Sequence, residues 1–497
     1  MKVAAETVAA DRVLPGPASG LGDPSPPRLA AGSPELLAML GRALVAVLCT
    51  SVYASTLHWV YAHLVTEQFA YAGFTYVPAS TQATVVTVIS ACVVAVTLPT
   101  RLTKVSHVVL CVLFVVCVAP AMLMVAYTGY VEAGAAVAAS LLIGASFSIA
   151  TTGTRLLDGR VAPTSTPPTL PPGASSPADR ARRRLSPESV MWAVVALHSL
   201  ATYGLMAATT GITLRFVALD DVYDVRAVYK DAVQGDNGLL GYFLSGQANV
   251  INTLVMARGL TRRNWALVAL GVAGQFVLYS GTGFKTILFS FPAVLLIALA
   301  TRRRPGRRVV SSWPFLIGPV VLMAVAATVD EAQDGFLWTS LFARRFLITP
   351  GMLTSVYVDF FEQNPPAMLG HSVLRWWFDY PYERSIPLEV GQFLQPGGAL
   401  AANANLFADG FANFGAAGVV GAGALLLAFL RFVDRTSRGL PLAVAAMVMI
   451  MPSITLSNTS LLTAMLSHGL AIGTIVLAVA PRTGWHPPSH GPERRRT

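Results

Sequence analysis

The residues best suited to chemistry gather late in the chain. They are amides, one carboxylate, arginines and flat aromatics. The segment Ala402-Asn403-Ala404-Asn405-Leu406-Phe407-Ala408-Asp409-Gly410-Phe411-Ala412-Asn413-Phe414-Gly415 spaces Asn405, Asp409 and Asn413 four apart. On a helix that spacing stacks them on one face, with Phe407, Phe411 and Phe414 opposite. A carboxylate between amides can take a hydroxyl proton or orient a hydroxyl group; the same residues can instead cap a helix or bond between helices. His371 is the second candidate base. It is followed by Arg375, Trp376, Trp377, Asp379, Tyr380, Tyr382, Glu383 and Arg384. Flat rings beside hydrogen-bonding groups suit sugars, whose rings have apolar faces and hydroxyl edges, and they equally suit an interfacial aromatic belt.

Cations form the other candidate set. The stretch Ser280-Gly281-Thr282-Gly283-Phe284-Lys285-Thr286 reads as a tight turn with exposed backbone N–H groups, ending in a lysine that could hold a lipid-linked phosphate or snorkel to the interface. Arg344 and Arg345 follow Leu341-Phe342-Ala343; arginine suits pyrophosphate because its planar fork binds bidentately. They could alternatively pair with Asp359 or Glu362, or with lipid headgroups. Just beyond, Met352, Leu353, Val356, Tyr357, Phe360 and Phe361 share one helical face. This predicts a helix over Gly351–Asn364 lying along the membrane surface or docked on a bundle.

These residues need a scaffold, and composition says which. Of 497 residues, 54% are hydrophobic and only 12% charged, with mean hydropathy +0.59; soluble domains carry about 25% charged residues. Apolar runs of spanning length lie at roughly 36–60, 81–99, 105–127, 135–152, 189–211, 239–257, 265–281, 284–301, 310–328, 413–433, 439–455 and 460–480. In lipid they must be helical. The expected fold is all-α: a polytopic transmembrane helix bundle of about 12 spans with a large helical extracytoplasmic loop. Its parts are a disordered cytoplasmic tail (1–35), spans one to four (36–152), a disordered Pro/Arg-rich cytoplasmic linker (153–188), spans five to nine (189–328), the extracytoplasmic loop carrying the site (329–412), spans ten to twelve (413–480) and a basic cytoplasmic tail (481–497). The Pro/Ala-rich N-terminal stretch has no apolar core before a cleavage site and does not read as a signal peptide.

The net charge of +10 follows the same map. With a cytoplasmic N-terminus, 26 of the 35 Lys and Arg fall in inside segments and seven in the two long outer loops, while Arg42 and Lys285 stand at span edges. That bias places both termini in the cytoplasm and removes the need for a nucleic-acid partner. Cys49, Cys92, Cys111 and Cys117 lie in apolar stretches without metal or disulfide spacing. Gln247, Asn249, Asn252, His198 and His468 read as hydrogen bonders between helices. No H-E-x-x-H, Gly-x-Ser-x-Gly or phosphate-binding G-x-x-x-x-G-K-[ST] motif occurs.

The ordering of these features resembles the Wzy-type oligosaccharide repeat-unit (O-antigen-like) polymerases. The stretches that carry the likeness are Gly281 to Lys285, Arg344-Arg345 through Gly351 and Tyr357, Ala402 to Gly415, and Ser457-Asn458-Thr459-Ser460 with His468-Gly469, spread over roughly residues 190 to 480. In its glycine-rich turn the family commonly carries Arg, where this chain has Lys285. The resemblance implies a multi-pass protein of the bacterial inner (plasma) membrane that polymerises polyprenyl-pyrophosphate-linked oligosaccharides on its outer face, without metal or other cofactor. It implies Lys285, Arg344 and Arg345 on the lipid pyrophosphate, Asp409 or His371 as base, and Tyr357, Arg375, Asn403, Asn405 and Asn413 as further substrate contacts. Membrane lipids, a flippase and a chain-length regulator are the implied partners. The alternatives are an O-antigen-ligase-like transferase of finished glycan, a transporter of the lipid-linked oligosaccharide, or a non-catalytic scaffold.

Overall fold

A computed structural model describes residues 34–157, 186–217, 222–233, 238–302, 310–372, 374–398 and 400–485. The chain divides into two compact units at Arg42/Ala43. Of the first, residues 34–42 are described, as the opening turns of the Pro34–Val60 helix. Apart from these turns, all that follows concerns the second unit.

The described residues are mostly helical, and the only strands among them are the two-residue pair Arg101–Leu102 and Val310–Ser311, antiparallel with Arg101 opposite Ser311. Among the described residues seven helices are long and apolar enough to cross a membrane: Leu36–Ala72, Val105–Met124, Ala133–Leu156, Pro187–Thr209, Trp265–Thr282, Trp313–Ala332 and Leu406–Thr436. An eighth is obtained by joining Leu461–Ser467 to Leu470–Val479, which meet at a 63° bend where Gly469 adopts φ +92°. The other expected spans are helical but shorter or more polar. Thr81–Thr97 has 17 residues and Lys285–Ala300 has 16; the segment 238–262 ends in Arg258 and Arg262.

Short polar residues set the helix boundaries. Ser186 caps Pro187–Thr209 by accepting from the Ser189 N–H at 3.0 Å. Asn264 caps Trp265–Thr282 through Ala266 N–H and Leu267 N–H. Each oxygen serves an N–H that the first turn leaves without a helical partner. The expected linker 153–188 loses both ends to helices, since Leu156 closes one and Pro187 opens the next. The rest of that linker, nearly all of the 1–35 tail, and residues 486–497 lie outside the described residues.

Val105–Met124 is the central post: all of its residues are buried except Val116, which is partly buried. Around it, large side chains such as Leu197, Leu200, Leu270 and Leu296 face outward at 61–74% exposure, as a lipid-facing surface allows. One end of the bundle, the loop face, carries residues 333–405. The other, the basic face, carries the strand pair and the short connections rich in Arg. There the buried Arg258 ties down residues 484–485, donating to Gly484 O at 2.8 Å and to Glu188 at 2.5 Å, with Trp485 under its guanidinium.

Candidate functional site

The loop face is organised by one helix, 339–363. It begins with ten π-helical residues, Thr339–Ile348, and continues as α-helix through Thr349–Gln363. A π stretch longer than a single turn is rare, and π segments concentrate at functional sites. The buried Asp330, ending the preceding helix, accepts from Trp338 N–H at 2.9 Å and Thr339 N–H at 2.6 Å. This places a carboxylate on the helix's positive end. Met352, Leu353, Val356, Tyr357 and Phe360 are buried, and so are Thr354, Ser355 and Val358 between them, so burial is not confined to the one face that the spacing predicts. The helix is therefore docked on the bundle. Gly351 allows the contact: a Cβ there would stand 2.4 Å from Pro120 O. Thr128 Oγ1 donates to Ser355 Oγ at 2.8 Å beside it.

The polar stripe Asn405–Asp409–Asn413 is corrected in part. Asn405 is not on the helix but is its N-cap. Its Oδ1 accepts from Phe407 N–H and Ala408 N–H, and its Nδ2 donates to Pro350 O at 3.0 Å and Thr354 Oγ1 at 2.7 Å. Asn413 is buried, accepts from Leu369 N–H at 2.7 Å and donates to Asp409 O at 2.8 Å. Tyr357 is buried and donates to Ala402 O at 2.7 Å. These three hold segments of the loop face together, because buried polar groups must find partners. Their hydrogen bonds leave them no evident role in touching substrate. Asp409 differs, being only partly covered, with Asn413 Nδ2 3.3 Å from its Oδ2. The helix breaks just beyond it, at Phe414 and Gly415, whose dihedrals are non-helical. Asn403 is exposed in the strap leading into the cap.

The cations do not converge on one point. Lys285 opens its helix, half-buried. The turn before it is a helix end and not a free cradle: Gly283 N–H donates to Tyr279 O and Phe284 N–H to Thr282 Oγ1. Gly283 has φ +64°, and a Cβ there would meet Val222 O at 2.6 Å. This turn packs on the Val222–Val233 helix, with Arg226 5.1 Å from the Phe284 ring centroid. Arg344 points elsewhere. Its guanidinium lies 4.0 Å from the Phe69 centroid and 5.7 Å from that of Phe74, and it donates to Ser340 Oγ at 2.7 Å. The two regions meet through Phe289, one turn after Lys285, and Phe342, two residues before Arg344, with ring centroids 5.2 Å apart. Arg345 is exposed on the same π stretch.

The segment 366–385 forms a mostly exposed aromatic shelf. Trp376 and Trp377 are 79% and 74% exposed, and Arg375 lies 5.0 Å from the Trp376 ring centroid. His371 is half-buried against Tyr380, its Nδ1 enclosed without a hydrogen-bond partner. Burial pushes its pKa below the ordinary 6.5. A neutral imidazole is thereby kept available as a proton acceptor.

No family model, curated protein or solved structure matches this chain. What the face can do chemically follows from its own residues. Asp409 offers a carboxylate beside a helix break; Arg344, Arg345 and Lys285 offer charge for an anion; the Trp shelf offers surface for rings.

The polar residues inside the bundle serve each other. His198 Nδ1 lies 3.0 Å from Gln247 Oε1, Gln247 donates to Asn252 at 2.9 Å, and Asn252 donates to Gln275 at 3.1 Å. Asn249 donates to His468 O at 3.1 Å. Asp330 is the residue that sequence reading missed. Its partners lie eight and nine positions ahead, outside the spacing of any capping box.

Proposed function

We propose that this chain is a membrane glycosyltransferase that polymerises polyprenyl-pyrophosphate-linked oligosaccharide repeat units, with the loop face on the outer side of a bacterial inner membrane and both termini in the cytoplasm. In this reading the twelve apolar segments are twelve spans, the shorter ones crossing with little tilt. The observation that carries the proposal is the 339–363 helix. It bears Arg344 and Arg345 on an unusual π-helical stretch, and through Pro350 and Thr354 it is tied to the Asn405 cap of the helix that presents Asp409.

The reaction is an exchange at an anomeric carbon. An acceptor sugar hydroxyl forms a new C–O bond there while the bond to the polyprenyl pyrophosphate breaks. The pyrophosphate leaves with the electron pair, and the hydroxyl proton passes to Asp409 or, in its neutral form, His371. Arg344 and Arg345 on one helix and Lys285 on another, joined by the Phe289–Phe342 contact and not converging on one point, are the cations assigned to the charge growing on the leaving group, a term that weighs heavily in a shielded site. Arg375 and the Trp376–Trp377 shelf hold sugar rings, and Asn403, exposed in its strap, is assigned as a further hydrogen bonder.

The test is reconstitution of the purified protein in lipid vesicles with a lipid-linked repeat unit. A ladder of glycans on the lipid supports polymerisation. A single addition of preformed glycan to a different acceptor favours the ligase reading, and translocation without new bonds favours the transporter.

A further inference from the structure

The basic face holds a cavity of about 720 Å³ that the proposed chemistry does not use. It opens where the Leu406–Thr436 helix ends beside the starts of Val105–Met124 and Leu442–Ile454. Lys104, Arg431, Arg435 and Arg438 line it, against one carboxylate, Asp434. That carboxylate is engaged on both oxygens by Ser106, through N–H at 3.0 Å and Oγ at 2.6 Å. Four cations around one cavity repel each other, and the arrangement favours an anionic occupant. One helix N-terminus adds to this. Leu442 lines the cavity and its helix, Leu442–Ile454, starts at Pro441 with no side-chain cap, whereas the first turn of Val105–Met124 is already taken by Asp434. The first-turn N–H groups of such a helix suit a phosphate.

The wall also has an apolar side. Phe432 lines the cavity and is 53% exposed; Leu425, two turns earlier on the same helix, is 55% exposed. These two share a face, so an apolar stripe runs from the cavity along the outside of the bundle. A soluble anion has no use for such a stripe, whereas an acyl chain does. We propose that this cavity binds the phosphate headgroup of an anionic membrane lipid, with one chain lying along Phe432 and Leu425. Basic pockets between spans on the cytoplasmic side are suited to such headgroups. The inference needs the helices to span a membrane and does not depend on the polymerase reading.

The test measures lipid retention by native mass spectrometry of the full chain. The protein is exchanged from neutral detergent into mixed micelles containing phosphatidylglycerol or phosphatidylcholine, and parallel samples receive inorganic phosphate or pyrophosphate. Phosphatidylglycerol should be retained over phosphatidylcholine. The exposed pair Arg435→Gln/Arg438→Gln should weaken that retention about tenfold or more, while the control pair Arg263→Gln/Arg302→Gln, also on the basic face, leaves it within about twofold. The Phe432→Ser variant should weaken retention of lipid without altering binding of pyrophosphate. Equal retention by wild type and the Arg435/Arg438 variant, or equal retention of the two lipids, would overturn the proposal. So would binding of pyrophosphate with no preference for anionic lipid, which would make the cavity a soluble-anion site.

Discussion

Asn405 and Asp409 are four residues apart and have opposite assignments. Asn405 caps a helix with its oxygen and ties that helix to 339–363 with its nitrogen. Asn405→Ala removes both roles and should cost about 2 kcal/mol or more of stability. Asn405→Ser keeps a capping oxygen and loses the donor to Pro350, so its thermal midpoint in detergent should fall between wild type and Ala. Asp409→Asn keeps shape and removes only charge. At unchanged thermal midpoint it should slow polymer formation by roughly 10²–10⁴-fold if Asp409 is the base. His371 supplies a pH prediction with a definite sign. Its folded pKa is depressed by burial, so the native state binds fewer protons than the unfolded chain. The stability it contributes is complete above the ordinary value of 6.5 and is lost as pH falls through the interval down to its folded pKa. His371→Phe should flatten the fall in thermal midpoint between pH 7 and 5; an unchanged slope would remove His371 as its cause.

At the scale of elements, apolar periodicity located the helix over 349–363 but not how it is buried. The apolar set Met352, Leu353, Val356, Tyr357 and Phe360 is buried, yet so are Gly351, Thr354, Ser355 and Val358, so the helix is enclosed on every side and not along one stripe. The π-helical stretch before it was not legible, because nothing in Thr339–Ile348 distinguishes a wider turn from an α-turn by composition. Nor was the break at Phe414–Gly415, which divides a helix whose polar stripe reads as continuous. The docking itself rests on Gly351. Gly351→Ala should cost about 1–3 kcal/mol by overpacking against Pro120, and Gly351→Val should cost more. Near-native thermal stability of the valine variant would mean that the helix is not seated as described.

For the molecule as a whole, composition was enough for the helical class and for an exterior of exposed apolar side chains on helices that could cross a membrane, while the number of crossings depends on segments near the length limit. Thr81–Thr97 and Lys285–Ala300, at 17 and 16 residues, can span only with little tilt. Cysteines introduced at Leu170 and Gln395 should label from opposite sides of the membrane with an impermeant reagent; labelling of both from one side would contradict the twelve-span map. Of the candidate site residues, Asp409 and Asn413 lie beside the 367–369 segment, and Phe289 brings the Lys285 helix against Phe342, but Lys285 and Arg344 do not converge. The site was not legible as individual contacts, because Tyr357, Asn405 and Asn413 find partners far away in sequence. The measurement that bears most directly on the central claim is polymer formation from a lipid-linked repeat unit by purified wild-type protein and by Lys285→Ala, Arg344→Ala, Arg345→Ala and Arg344→Lys at matched reconstitution. A glycan ladder should appear with wild type. Each alanine change that removes a charged contact made in the transition state should slow it by roughly ten- to over a hundredfold. Arg344→Lys should restore only part of the rate, because an ammonium lacks the planar fork. No ladder from folded wild-type protein, or ladders of equal rate from all four variants, would contradict the account.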